Sequence, residues 1–309
     1  MCPSAAEQPA AGNVAAAAPG VEDGGRVVGR PASLRAIATI AHLTFVEARR
    51  RRVLAAALLL GGAFVGLFAV GLHFMARDIR AHAPAAQQAI FVNLLALVAL
   101  YAANFLIVMT AVLVTVETVA GEAASGVIEA LCTKPVARWV VALGKWLGCW
   151  LILALYGLLL CGGVLAVARL VGGAFPPHAV RGVSLILLAG TVLLTLALAG
   201  GTRLSSLANG VAVLGLYGLA FIGGWMEQIG TLAGNASARY VGIALSLVVP
   251  SESLWQLASY HMQPALARDA QIGPFVTASV PSPAMVAWAA GHVLVVLAVA
   301  LRLFHTRDL

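Results

Sequence analysis

Side chains able to do chemistry are few in this 309-residue chain, and most are badly spaced for it. The seven histidines occur without H-x-x-x-H or H-E-x-x-H spacing, so no two imidazoles share a helical face toward a metal. Cys2, Cys132, Cys149 and Cys161 form no C-x-x-C pair, and the last two sit inside an apolar run. Neither a disulfide framework nor a thiolate metal site is indicated. His261 and Met262 are adjacent and could touch a soft metal, but a lone pair in a loop reads first as a polar surface contact. No G-x-x-x-x-G-K-[ST] occurs. Gly144-Lys145 is followed by Trp146 and lacks the upstream glycine, so there is no phosphate cradle. The informative polar stretch is residues 121–148, GEAASGVIEALCTKPVARWVVALGKWLG. Glu122 and Glu129 project polar groups from a short helical stretch, Gly126 permits a break, and Pro135 ends it. Arg138, Trp139, Lys145 and Trp146 then set basic and aromatic groups at the entry to an apolar segment, as helix anchors at a membrane interface do. A short charged helix of this kind is a handle for a soluble partner, or equally an amphipathic loop that docks on nothing.

The elements that position these residues must live in lipid. The chain is 61% hydrophobic and 10% charged, with mean hydropathy +0.96. Soluble domains carry roughly 45–50% apolar and about 25% charged residues. A water-soluble enzyme is therefore excluded. An intramembrane enzyme needs an Asp pair, a Ser with His, or a zinc-binding H-E-x-x-H within its spans, and none is present. The net charge is +7, but the basic residues are scattered between apolar runs and only two of the nineteen are Lys. That pattern fits membrane flanks, not a nucleic-acid face.

Residues 1–33 are rich in Ala, Gly and Pro without large apolar side chains. They read as a disordered tail and not as a secretory signal. Leu34, Ile37, Ile40 or Ala41, and Phe45 recur at helical spacing ahead of Arg49, Arg50, Arg51 and Arg52, the pattern of a helix lying in the headgroup layer. Six spans follow near 53–75, 89–116, 147–168, 183–201, 207–225 and 284–303. Arg77, Asp78 and Arg80 read as a short loop with Pro84, and 202–206 as a tight hairpin. Residues 226–283 read as an extracytoplasmic cap, interfacial or re-entrant. The apolar piece at 241–249 is too short to cross, and 251–260 sets Leu254, Leu257 and Ala258 opposite polar residues. The fold class is thus an all-α integral membrane protein, with 34–309 as one six-helix transmembrane domain. With the N-terminus inside, thirteen of the nineteen basic residues fall on inner segments, which places both termini and residues 121–145 in the cytoplasm. Glu117, at the inner end of the second span, reads as a snorkelling helix-end residue or a functional acid. Asn93 and Asn104 could bond between helices or locally, and the small pair Gly62 and Gly66 is a weak helix-contact signal.

The order Glu122, Gly126, Glu129, Pro135, Arg138, Gly144-Lys145 resembles the E-x-x-x-G-x-x-E…P-x-x-R…G-K signature of type-2 ABC exporter permeases. The subgroup it most resembles includes the permease of nitrous oxide reductase maturation. The six-span plan, the basic helix before the first span and the ending Phe304, Arg307, Asp308, Leu309 are similar as well. The resemblance implies a permease subunit of an ABC export system at the inner (plasma) membrane, with no cofactor of its own and with ATP and Mg on a separate ABC ATPase subunit. Glu122, Gly126 and Glu129 would lie in a coupling segment seated on that ATPase. Pro135, Arg138 and Lys145 would lie in the turn and the start of the third span. The partners implied are the ATPase, a second permease copy and membrane lipids. A membrane assembly factor or scaffold without a transport cycle is the alternative.

Overall fold

The structure is a computed structural model that describes residues 30–50, 52–124, 137–269 and 278–305. The calls on residues 1–29, on most of the loop at 125–136 and on 306–309 lie outside these. Among the described residues every regular element is an α-helix. In order they are α1 (Arg30–Arg50), α2 (Arg52–His82), α3 (Ala85–Ala124), α4 (Arg138–Leu170) and α5 (Ala179–Gly201). After them come α6 (Ser206–Leu232), α7 (Ala236–Val248), α8 (Ser251–Met262), α9 (Ala265–Asp269) and α10 (Ala284–His305). Six of them, α2 to α6 and α10, are long and apolar enough to cross a membrane.

The spans expected from hydropathy are present, but several helices outrun them. Arg77, Asp78 and Arg80 are not a loop. They continue α2 to His82, exposed, and Arg80 donates to the Val171 carbonyl. Apolar composition marks where lipid ends, whereas a helix stops only where its backbone bonding fails, here ahead of Pro84. With 40 residues α3 is about 60 Å long, twice the roughly 30 Å of a hydrocarbon core. The 33-residue α4 is about 50 Å.

The bundle is built around α5, whose apolar window is 72% buried, against 11% for α2 at the periphery. Indole-to-hydroxyl bonds lock α4 to α5. Trp146 Nε1 donates to Thr195 Oγ1 at 3.0 Å and Trp150 Nε1 to Thr191 Oγ1 at 3.2 Å. Each threonine passes its own proton to a carbonyl one turn back, so the polar atoms are satisfied inside lipid. Trp146, expected at the interface, is thus turned into the bundle.

α1 lies along α4 on a seam of small residues. Ile37, Ile40, Ala41, Thr44 and Ala48 form its inward stripe; of the stripe read from the sequence, Ile37 and Ile40 or Ala41 lie on it, Phe45 packs against the core, and Leu34 is exposed. They meet Gly144 and Gly148. A Cβ on Gly144 would stand 2.7 Å from Ile40 Cβ, and one on Gly148 would stand 2.7 Å from Thr44 Cβ and 2.9 Å from the Ala41 carbonyl oxygen.

The α5–α6 hairpin closes with Ser205 accepting from the Ala208 amide. The fully buried Asn209 donates through Nδ2 to the Ala197 carbonyl at 2.8 Å, and Gly200 leaves room for it. Asn209→Ala is expected to lower stability by about 1–2 kcal/mol, read as a fall in the thermal midpoint of the detergent-solubilised protein.

Contacts decide what α7 and α8 are. α7 runs back along α6, with Gly230 against Ala238 and Arg239, Glu227 against Gly242, and Gly223 against Leu245. The chain then bends by 105° into α8. Gln256 Nε2 donates to the Gly224 carbonyl at 3.2 Å, and Met262 packs on Gly182 near the start of α5. Six alternating spans put the end of α6 and the start of α5 on the same side. The pair therefore enters, turns eight residues from the end of α6 (roughly 12 Å) and returns. It is re-entrant. His261 and Met262 close a helix and do not lie in a loop: the Met262 thioether is buried on Gly182, and the His261 ring centroid lies 6.4 Å from that of His178. Glu227 and Gln228 tie residue 279 to this end of α6. Ser279 Oγ donates to Glu227 Oε1 at 2.6 Å, and the Gln228 amide pairs with the Ser279 backbone.

Candidate functional site

The residues singled out from the loop separate in space. Glu122 falls in the last turn of α3. Gly126, Glu129 and Pro135 lie outside the described residues. Arg138 opens α4, half-buried. Lys145, two turns on, is only 3% exposed and sits with Leu198, Thr202 and Phe304 where α4, α5 and α10 converge. Gly144 and Lys145, adjacent in the motif, therefore serve different contacts, the glycine seating α1 and the lysine entering the bundle. Phe304 is buried against Ala142 in the same junction. Glu117 is half-buried near the end of the apolar part of α3, while Asn93 and Asn104 are buried with their Oδ1 atoms unbonded.

A groove of about 660 Å³ lies at mid-span between α2, α3 and α6. Leu60, Phe64, Tyr101, Phe105, Met109, Tyr217 and Phe221 line it. It is an apolar, aromatic slot of the size that holds a small amphiphile or drug-sized molecule.

Beside it is a polar group that sequence reading missed. The pattern at 251–260 sets an apolar face opposite polar residues, within a region that reads as an interfacial or re-entrant cap. In the structure Ser251 to Ser259 are all buried. Glu252 is 4% exposed and Gln256 6%, one turn apart on α8. Gly224 is what admits them, since a Cβ there would stand 2.3 Å from Glu252 Cγ. Glu252 Oε2 and Gln256 Oε1 have no hydrogen-bond partner, nor do the Oγ atoms of Ser246, Ser251 and Ser253 around the same bend. An unpaired buried carboxylate costs several kcal/mol, so the group must hold its proton or a counter-charge. The available signal was the acid itself within an otherwise uncharged stretch, S-E-S-L-W-Q.

No curated protein matches the chain. A family model does, the one described as ABC-2 family transporter protein, and it aligns with residues 36–309. That span takes in every helix from α2 onward and α1 from residue 36, including the spans that build the groove and the two long helices flanking the loop. The chain is a multi-pass membrane protein and belongs to the ABC-2 family of transporter proteins.

Proposed function

We propose that this permease subunit is half of an ATP-driven exporter, worked by a separate ATPase through the segment between α3 and α4. The observation that carries the reading is the overreach of those two helices. Both extend beyond what lipid needs, and they are joined through 125–136, so that segment is borne on two stiff rods. A push on it moves spans, not a slack loop. The chain has no phosphate loop, so ATP and Mg belong to the partner. The distribution of basic residues supports the segment facing the cytoplasm, with both termini inside and the α7–α8 pair at the outer face of the inner membrane.

The loop signature supports assignment to the subgroup that includes the nitrous oxide reductase maturation permease. α2 is largely uncovered, and Leu59, Leu67 and Phe74 are exposed along it. A second permease copy against this helix would place the groove beside the pair's midline, and closure of two ATPases would bias the pair between inward- and outward-facing arrangements. The test is reconstitution with the ATPase. Stable association and hydrolysis stimulated by this chain are the expected result. Association without stimulation would make the chain a scaffold, and labelling of 121–145 from the exterior would remove the lever from its motor.

A further inference from the structure

We propose that the end of the groove nearest α8 binds a protonated long-chain amine, its alkyl chain along the apolar slot and its ammonium directed at Glu252 and Gln256. The assignment rests on the permease reading in one respect, that the bound amine is then the class of cargo carried. Binding itself requires no ATPase.

The argument is one of complementarity. The slot is lined by aromatic and aliphatic side chains and accepts an apolar tail. Gly224, one turn beyond the lining residue Phe221 on α6, packs against Glu252 Cγ, which places the carboxyl next to that end of the slot. The Trp255 ring, three residues beyond Glu252, lies with its centroid 4.9 Å from that of the Tyr101 ring, tilted by 41°, and joins α8 directly to the groove wall. The polar atoms left over there are two acceptors, beside the serine hydroxyls of the bend. Glu252 Oε2 and Gln256 Oε1 are unbonded, and the Gln256 amide nitrogen is already committed to the Gly224 carbonyl. Glu252 Oε2 and Gln256 Oε1 thus lack a donor, and no cation lies among the described residues of the lining; an ammonium brings both a donor and a positive charge, with aromatic faces beside it to add cation–π attraction.

The charges nearby exclude the other classes. Among the described residues the cations of this region stand at the far ends of their helices. Arg239 sits by Gly230, and Arg268 lies over the Tyr260 ring at 4.9 Å. An anionic headgroup would meet Glu252 with nothing to offset the repulsion. No group of three His, Cys, Asp or Glu side chains able to hold a metal occurs among the described residues, and a hard divalent ion asks for more carboxylates than one.

The experiment uses the full chain in zwitterionic nanodiscs and a dodecylamine carrying a mid-chain diazirine, with adducts mapped by mass spectrometry. Labelling is expected at Tyr101, Tyr217 and Phe221. Dodecylamine should compete at least about tenfold better than dodecanol or dodecanoate, as a buried charge pair requires. Glu252→Gln should cut labelling by at least about tenfold, while Glu252→Asp retains it. Equal competition by dodecanol, or labelling concentrated on outward residues such as Leu59 and Leu67, overturns the proposal. So does a well-folded Glu252→Gln protein that labels like the native one. If that variant does not fold, competition on the native protein decides alone. Lost amine selectivity with intact ATPase coupling removes only this site, and retained amine binding without ATPase association removes only the permease reading.

Discussion

Reversal of charge at Glu122 or Glu129 is expected to reduce ATPase co-purification by at least about tenfold, with membrane insertion unchanged. Placing a cation where a partner expects a carboxylate costs several kcal/mol at a close interface, and each 1.4 kcal/mol is a factor of ten. The position of Glu122 makes the experiment discriminating. It lies in the last turn of α3, where the macrodipole of a 40-residue helix is negative. An acid there is unfavourable to the helix by about 0.3–1 kcal/mol, so Glu122→Lys should strengthen the helix end. Loss of the ATPase cannot then be ascribed to a frayed α3. Glu129→Lys tests the same docking from the segment beyond. Co-purification at native levels in both variants would remove the coupling role, and an alanine pair would show how much of the effect is repulsion.

Gly148→Val is expected to displace α1 from α4. The new Cβ would lie 2.7 Å from Thr44 Cβ and 2.9 Å from the Ala41 carbonyl oxygen, and the second of these is backbone that no rotamer change can move. Overpacking of this kind costs about 1–3 kcal/mol, and the backbone contact places it at the upper end. Two readouts follow: a lower thermal midpoint in detergent and faster tryptic cleavage within α1, where Arg35 and Arg49 lie. Gly210→Ala is the control, because nothing lies within 4 Å of a Cβ at that position. Gly144→Val should behave like Gly148→Val, since the two glycines are one turn apart on the same seam. A native midpoint and native cleavage in Gly148→Val would mean that α1 does not rest on α4. The α1 contact also bears on coupling. α4 carries Arg138 at its protruding end and α1 along its first turns, so a freed α1 should weaken ATPase stimulation as well as stability.

Much of the architecture was legible in the chain itself. Runs such as 53–75 and 284–303 contain so little charge that only lipid can surround them, and α2 and α10 stand where those runs predict. The stripe Leu34, Ile37, Ile40 or Ala41, and Phe45 likewise named the inward face of α1 from Ile37 onward, because helical period is a local property, while Leu34 is exposed. What that face meets is not local. Only the packed bundle shows that Gly144 and Gly148 receive it, and that Trp146 and Lys145 leave the interface for the interior. What the polar face of 251–260 meets is the clearest case. Periodicity correctly grouped Leu254, Leu257 and Ala258, but whether the opposite face sees water or protein depends on where α7 turns the chain. A 105° bend against Gly224 turned Glu252 inward. Composition and period are sums over neighbours in sequence, so the residues alone determined the solvent, the spans and the faces. Burial is a sum over neighbours in space, and for that reason the groove and its buried carboxyl became visible only once the helices were packed.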